Sequence, residues 1–82
     1  MTTKKFQNVV CHLVAKETGM ALNDIDSDFD VASWHDSEAT DSEQVDAAVH
    51  AADAVLCLNG FRDDDPAMTA SLVAAAMNEM TN

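Results

Sequence analysis

Two stretches of apolar residues with helical spacing constrain the fold of this chain more than any other feature. In the first stretch the apolar side chains recur at i, i+3, i+4, i+7 and i+8: Phe6, Val9, Val10, Leu13 and Val14. This spacing places all five side chains on one face of a helix. Thr2 or Thr3 can cap the start of that helix, and Gly19 can end it. The sequence therefore predicts a helix over about residues 3–18.

The second stretch follows a clear signal for the start of a helix. The run Thr40-Asp41-Ser42-Glu43 has the form of a capping box, in which the first and last residues bond to each other's backbone. The apolar residues with helical spacing after it are Val45, Ala48, Val49, Ala52, Val55 and Leu56. Asn59-Gly60 is typical of a left-handed helix end, with Phe61 folded back on Leu56. We expect a helix over about residues 41–58.

A third helix is predicted over about residues 66–80. Asp65 can cap it, and Pro66 suits the first helical position because that position needs no backbone N–H. Its apolar face would consist of Met68, Leu72, Val73, Ala76, Met77 and Met80. Small residues lie on another side of the helix: Ala67, Ala70 and Ala74. A neighbouring helix of this chain or of a homodimer partner could approach there, and the sequence leaves both open.

These patterns predict an all-α protein in a single domain over residues 1–82. The expected architecture is a small three- to four-helix bundle, with an acidic, irregular connection over about residues 20–39 between the first two helices. A lone strand in that connection would lack a partner for its backbone hydrogen bonds. We therefore expect an ordered loop with one short helix around Asp28 to Trp34. A small sheet is the alternative.

The connection contains an acid at every second position from Asp24 to Asp30. In an extended backbone, alternate side chains point to opposite faces, so four carboxylates would line one edge while Ile25, Phe29 and Val31 face inward. The alternative is a solvated acidic loop held by those apolar residues. Both interpretations predict exposed carboxylates in this segment.

Charge is distributed unevenly along the chain, which carries a net charge of −11. The residues before Asn23 have a net charge of +2, whereas those from Asn23 to Asp65 have a net charge of −12. Direct binding of nucleic acid requires lysines and arginines to neutralise phosphates, so we do not expect it. A basic protein is the natural partner, because opposite potentials speed encounter and disfavour wrong partners.

The acidic alternation does not match a calcium-binding loop. Asp24, Asp26, Asp28 and Asp30 would occupy positions 1, 3, 5 and 7 of an EF-hand. That loop needs glycine at its sixth position and glutamate at its twelfth, where this chain has Phe29 and His35. We expect no specific metal ion.

Other combinations of reactive residues are equally incomplete. A single helix cannot close a tetrahedral metal site, and the potential ligands on the second helix are Asp46, His50, Asp53 and Cys57. His35-Asp36-Ser37 contains the residue types of a catalytic triad, but neighbours in the chain rarely converge in space. We therefore predict that the protein is not an enzyme and needs no cofactor.

The two cysteines, Cys11 and Cys57, match no paired metal-binding pattern. No apolar run is long enough to span a membrane, and no membrane partner is expected. We predict a cytoplasmic protein with free, buried thiols, since disulfides are rare in that compartment. A disulfide between the two residues is the alternative.

Several residues in the first half of the chain resemble the run that leads to the phosphopantetheine site of acyl carrier proteins. They are Gly19-Met20, Ile25, Phe29 and Asp36-Ser37. The resemblance implies a small acidic helical bundle whose prosthetic arm is carried by Ser37. The chain departs from the family at Trp34-His35, where the family has glycine before Asp-Ser, and at Glu38, where it has leucine.

The leading functional hypothesis is a small acidic binding or inhibitor protein that presents an anionic face to a basic, nucleic-acid-binding protein. DNA carries a phosphate about every 3.4 Å along each strand, a spacing that carboxylates on a helix or at alternate positions roughly imitate. DNA mimics and anti-CRISPR proteins of phages are similar in size and charge. A self-associating helical domain is a further alternative.

Ten residues are the candidates for partner binding in this hypothesis. Nine are acids of the connection and the second helix, and Trp34 would add an apolar anchor, although tryptophan more commonly lies in a core. The set is Asp24, Asp26, Asp28, Asp30, Trp34, Asp36, Glu38, Asp41, Glu43 and Asp46.

Overall fold

The computed structural model describes residues 1–61 and 72–78, and its regular elements in these ranges are all helical. Helix α1 spans Thr3–Thr18, the short helix α2 spans Leu22–Ile25, a 3₁₀ turn spans Val31–Trp34, and helix α3 spans Asp41–Leu58. Residues 72–78 are also helical. Since these ranges contain no strand, the predicted all-α class is confirmed and the small sheet is not formed.

Helix α1 begins and ends at the residues that its sequence signals indicate. The Thr2 side-chain oxygen accepts a hydrogen bond from the Lys5 backbone N–H at 3.0 Å, so Thr2 is the cap. At the other end Gly19 has a φ of 71°, and its N–H donates to the Ala15 carbonyl at 2.7 Å. Glycine adopts this left-handed conformation without the penalty that a Cβ atom would add.

Helix α3 has both of its predicted end structures. In the capping box, the Glu43 N–H donates to Thr40 Oγ1 at 3.2 Å, and the Thr40 N–H donates to Glu43 Oε1 at 3.4 Å. At the C-terminal end Gly60 has a φ of 76°, and the Phe61 N–H donates to the Leu56 carbonyl at 2.9 Å. This is the Schellman arrangement, which satisfies carbonyls that the helix itself leaves unpaired.

The hydrophobic core lies mainly between α1 and α3. All five apolar positions predicted for α1 are fully buried. The buried apolar residues of α3 are Ala48, Val49, Ala51, Ala52, Val55 and Leu56. Leu22 of α2 and Val31 of the 3₁₀ turn are buried at the edge of the same cluster. The acidic connection is therefore attached to the bundle through its apolar residues.

The helical residues 72–78 complete the described part of the core. Leu72, Ala75 and Ala76 are buried there, whereas Met77 is 58% exposed. Met77 belongs to the predicted apolar face of this helix, but its side chain is directed away from the core. The predicted helix start at Asp65 and Pro66, and the remaining positions of the 66–80 prediction, lie outside the described residues.

A buried polar group connects α3 to the start of the chain. Gln44 is 3% exposed, and its Nε2 donates to the Ala39 carbonyl at 2.8 Å while its Oε1 accepts from the Met1 nitrogen at 3.0 Å. His35 Nε2 lies 3.2 Å from Gln44 Oε1 and 3.1 Å from the Met1 carbonyl. Both neighbours are acceptors, so Nε2 carries the proton, and the Thr3 hydroxyl can donate to Nδ1.

None of the helices in the described part of the chain is both long and apolar enough to cross a membrane.

Truncation of a core leucine should destabilise the protein far more than truncation of a surface leucine. Leu13 is fully buried, whereas Leu58 is 74% exposed, and both belong to long helices. We expect Leu13→Ala to lower the free energy of unfolding by about 2–5 kcal/mol because it leaves a cavity. Leu58→Ala is the control and should change it by less than about 0.5 kcal/mol. Urea titration followed by circular dichroism measures both, and equal effects would contradict this core.

Candidate functional site

The stretch from Asp24 to Asp30 is not extended. Asp24 lies in α2, Asp26 is the residue after it, Asp28 lies in a turn, and Asp30 caps the 3₁₀ turn. The hypothesis that alternate carboxylates line one edge of an extended segment is therefore wrong. The backbone changes conformation every few residues, so spacing along the chain does not translate into a row of charges.

Local hydrogen bonds explain why this stretch forms turns. Asp26 Oδ1 accepts from the Asp28 N–H, and Asp30 Oδ1 accepts from the Ser33 N–H, both at 3.3 Å. Ser33 in turn donates its hydroxyl to the Asp30 carbonyl at 2.7 Å. Aspartate and serine side chains commonly offer the backbone this alternative to regular structure. The connection has a 3₁₀ turn over Val31–Trp34, where a short helix was expected around Asp28 to Trp34, and also contains helix α2, which the sequence analysis did not predict.

The apolar residues between the acids hold the connection to the core. Val31 is 6% exposed, while Ile25 and Phe29 are partly buried against the core cluster. Trp34, in contrast, is 40% exposed and stacks on Phe29 with ring centroids 6.3 Å apart. Trp34 therefore does not lie in the core, where tryptophan is more commonly found. The position of Trp34 leaves it accessible to a partner.

The acids nearer to α3 also have local structural roles. Asp36 Oδ1 accepts from the Glu38 N–H at 3.0 Å in the turn before the helix. Asp41 and Glu43 lie in the first turn of α3, where the helix dipole favours negative charge. Asp46 Oδ2 lies 3.9 Å from His50 Nδ1, and both side chains are largely exposed. This contact is an ion pair only when the imidazole is protonated, and exposed ion pairs contribute little to stability.

Of the ten candidate residues, Asp26 is the one that is not exposed.

Three of the candidate acids come together around one groove. The groove has a volume of about 520 Å³ and lies between the start of α3 and the helical residues 72–78. Its surface is mostly apolar, and the described residues that line it are Asp41, Ser42, Glu43, Val45, Asp46, Val73 and Met77. The sequence analysis placed Val45, Val73 and Met77 on apolar helix faces and did not predict a groove between them. Their helical spacing identifies these residues as members of apolar faces. Only the packing of residues 72–78 beside α3 shows which of the side chains remain accessible.

Asp30 lies at a different groove. This second groove has a volume of about 310 Å³, is mainly polar, and is lined by residues of α1 and the connection, including Cys11 and Phe29. The other predicted acids line neither groove: Asp24, Asp26, Asp28, Asp36 and Glu38. The structure thus groups Asp41, Glu43 and Asp46 and places Asp30 elsewhere.

Cys11 and Cys57 form no disulfide with each other and both are exposed, so the prediction of buried thiols is wrong. Cys11 lies on α1 outside the apolar face, and Cys57 lies on α3, where its thiol contacts Asp53 Oδ1 at 3.7 Å. Partial desolvation nevertheless raises the pKa of the Cys11 thiol, which lowers its thiolate fraction at neutral pH. Within residues 1–61 and 72–78, no three or more His, Cys, Asp or Glu side chains cluster as metal ligands.

His35, Asp36 and Ser37 do not converge into a triad. Both ring nitrogens of His35 contact other groups, namely Thr3, Met1 and Gln44. Asp36 accepts from the backbone of its own turn, and Ser37 is exposed in that turn. His35 therefore has a structural role in joining the connection to α3.

No family model, curated protein or solved structure matches this chain.

The capping role of Asp30 can be separated from its charge. We expect Asp30→Ala to destabilise the protein by about 0.5–2 kcal/mol, as the loss of a capping side chain typically does. It should also shift the fluorescence of Trp34, the single tryptophan of the chain, because the 3₁₀ turn positions that residue. Asp28→Ala is the control, since it removes an equal charge from an exposed turn position. Identical unfolding curves and spectra for the two variants would contradict the capping role.

Proposed function

We propose that this protein acts by binding, and that it presents an acidic surface to a basic protein partner whose own ligand is nucleic acid. The observation that carries the proposal is the exposure of eight acids between residues 24 and 46, a segment without lysine or arginine. The partner would be recognised through its positive potential. Such a function needs neither a catalytic group nor a cofactor.

The local hydrogen bonds of the acids support this proposal. Asp30, Asp36 and Glu43 bond to neutral N–H or O–H groups of their own turns and caps. Such bonds fix the direction of a carboxylate without cancelling its charge. Carboxylates that are held in place lose less conformational freedom on binding, and preorganisation of this kind strengthens association.

Charge alone would not give tight binding. Exposed ion pairs contribute about 0–1 kcal/mol each, so most of the affinity would have to come from a few apolar anchors. The exposed Trp34, stacked on Phe29, supplies one anchor beside the acidic connection. Aromatic residues are enriched among the side chains that dominate binding energy at protein interfaces.

Neutralising exposed acids should prevent capture of the partner without unfolding the protein. The test variant combines Asp24→Asn, Asp28→Asn, Glu38→Gln and Asp46→Asn. Immobilised on a resin, the native protein should retain a basic protein from host extract, while this variant should lose it. Association with the purified partner should slow by about tenfold or more, and the difference should shrink as salt rises from about 50 to about 200 mM.

A second variant with the same net charge controls for overall charge. It combines Glu17→Gln, Asp63→Asn, Asp64→Asn and Glu79→Gln, all outside residues 24–46. The control should keep most of the capture. Equal loss in both variants would show that only net charge matters, and equal capture by all three proteins would refute the anionic surface. Circular dichroism confirms that each variant remains helical.

The captured protein also identifies the function of the complex. If this chain blocks a nucleic-acid-binding groove, adding it should displace labelled DNA or RNA from the purified partner. The native chain should compete, and the four-acid variant should compete at least about tenfold less well. A complex that still binds nucleic acid with unchanged affinity would exclude blocking of that groove.

An acyl-carrier function on Ser37 is the second candidate, favoured by the exposure of that residue in the turn before α3. Incubation with coenzyme A and a carrier-protein transferase should then add one phosphopantetheine to the intact mass. Ser37→Ala should abolish this gain, whereas Ser33→Ala should not. An unchanged mass of the native chain removes this candidate.

A further inference from the structure

The groove between α3 and residues 72–78 combines an apolar floor with an acidic rim. Val45 and Val73 are half-buried there, and Met77 is 58% exposed. Apolar surface left open in this way often marks a binding site when polar residues surround it. Methionine suits such a site because its flexible, polarizable side chain adapts to different partners.

The charged residues that the structure describes at the rim all carry the same sign of charge. Asp41, Glu43 and Asp46 line the groove, and the chain has no lysine or arginine between Lys16 and Arg62. Glu43 is held by the capping box, in which its Oε1 also accepts from the Thr40 hydroxyl at 2.9 Å. A partner that places lysines or arginines over this rim would gain complementary electrostatic interactions.

The elements around the groove favour a helix as the occupant. It lies between two helical segments, and the described residues contain no strand whose edge could pair with an extended peptide. In the helix-in-groove mode, apolar side chains at i, i+3, i+4 and i+7 enter the groove while polar ones contact its rim. We propose that this groove binds a basic amphipathic helix of the partner, an inference that rests on the proposed function and specifies where the partner binds.

A synthetic peptide can replace the unidentified partner. The probe is a fluorescent peptide of about 15 residues, long enough to form a helix, with leucine at i, i+3, i+4 and i+7 positions and lysine elsewhere. A scrambled peptide of the same composition lacks the apolar face. Fluorescence anisotropy with the full chain should show at least about tenfold tighter binding of the amphipathic peptide than of the scrambled one. Equal affinities, or no binding of the amphipathic peptide, would overturn the proposal.

Substitutions of the floor test whether the peptide lies in this groove. Met77→Gln keeps a similar side-chain length but replaces apolar contact by a polar group, and should weaken binding by about tenfold. Leu58→Gln is the matched control on another part of the surface, because Leu58 is also exposed. Equal effects of the two substitutions would place the peptide elsewhere and refute the groove.

Substitutions of the rim test the charge complementarity. The rim variant combines Asp41→Asn, Glu43→Gln and Asp46→Asn, and glutamine at position 43 can still close the capping box. This variant should bind the amphipathic peptide about tenfold or more weakly at low salt, and the difference in affinity should be smaller at high salt. An unchanged affinity at low salt would contradict the assignment of the rim.

The matched charge control separates this inference from the proposed function. It combines Asp24→Asn, Asp28→Asn and Glu38→Gln, which remove an equal charge outside the groove. Loss of peptide binding in this control but not in the rim variant would refute the groove and leave the anionic surface intact. Peptide binding that does not depend on salt, and that neither variant weakens, would contradict both the groove and the proposed anionic surface.

A second copy of this chain is the competing occupant of the groove. Analytical sedimentation distinguishes a dimer from a monomer that binds the peptide. The peptide proposal expects a monomer at micromolar concentration, with or without Met77→Gln. A native dimer that Met77→Gln converts into a monomer would show that a second copy fills the groove, and would overturn the proposal.

Discussion

The contact between the apolar faces of α1 and α3 is the interaction on which the rest of this structure depends. Phe6 and Leu13 from one helix and Val55 and Leu56 from the other are fully removed from water. Burying each such side chain stabilises a fold by about 1.5–3 kcal/mol. The connection and residues 72–78 contribute fewer buried side chains, so their positions follow from the pair formed by α1 and α3.

This division explains which parts of the molecule its sequence predicts. Helices α1 and α3 are specified locally, by a 3.6-residue period and by capping residues such as Thr2 and Thr40. The connection is different because each aspartate can bond to several nearby N–H groups. The carboxylates of Asp26 and Asp30 accept backbone hydrogen bonds that stabilise turns. The alternation of acids in the sequence does not predict these turns. Trp34 is exposed although tryptophan more commonly lies in a core, and no local pattern in the sequence indicates this position.

The candidate site was harder to predict than the fold for a related reason. Sequence identifies Val45, Val73 and Met77 as apolar residues on helix faces, and identifies Asp41 and Asp46 as acids. Whether they share one surface depends on how residues 72–78 lie beside α3, which no local pattern specifies. The buried amide of Gln44 is a similar case. This amide joins α3 to Ala39 and to Met1, and Met1 is far from Gln44 in the sequence.

The inward face of α3 is rich in alanine, with Ala48, Ala51 and Ala52 all fully buried. Small side chains let helices approach closely, and an interior packed in this way accepts extra methyl groups only with strain. The exposed acids face no such limit, since asparagine or serine can take over many of their local bonds. Substitutions of the surface charges would therefore disturb this scaffold less than substitutions of its buried alanines.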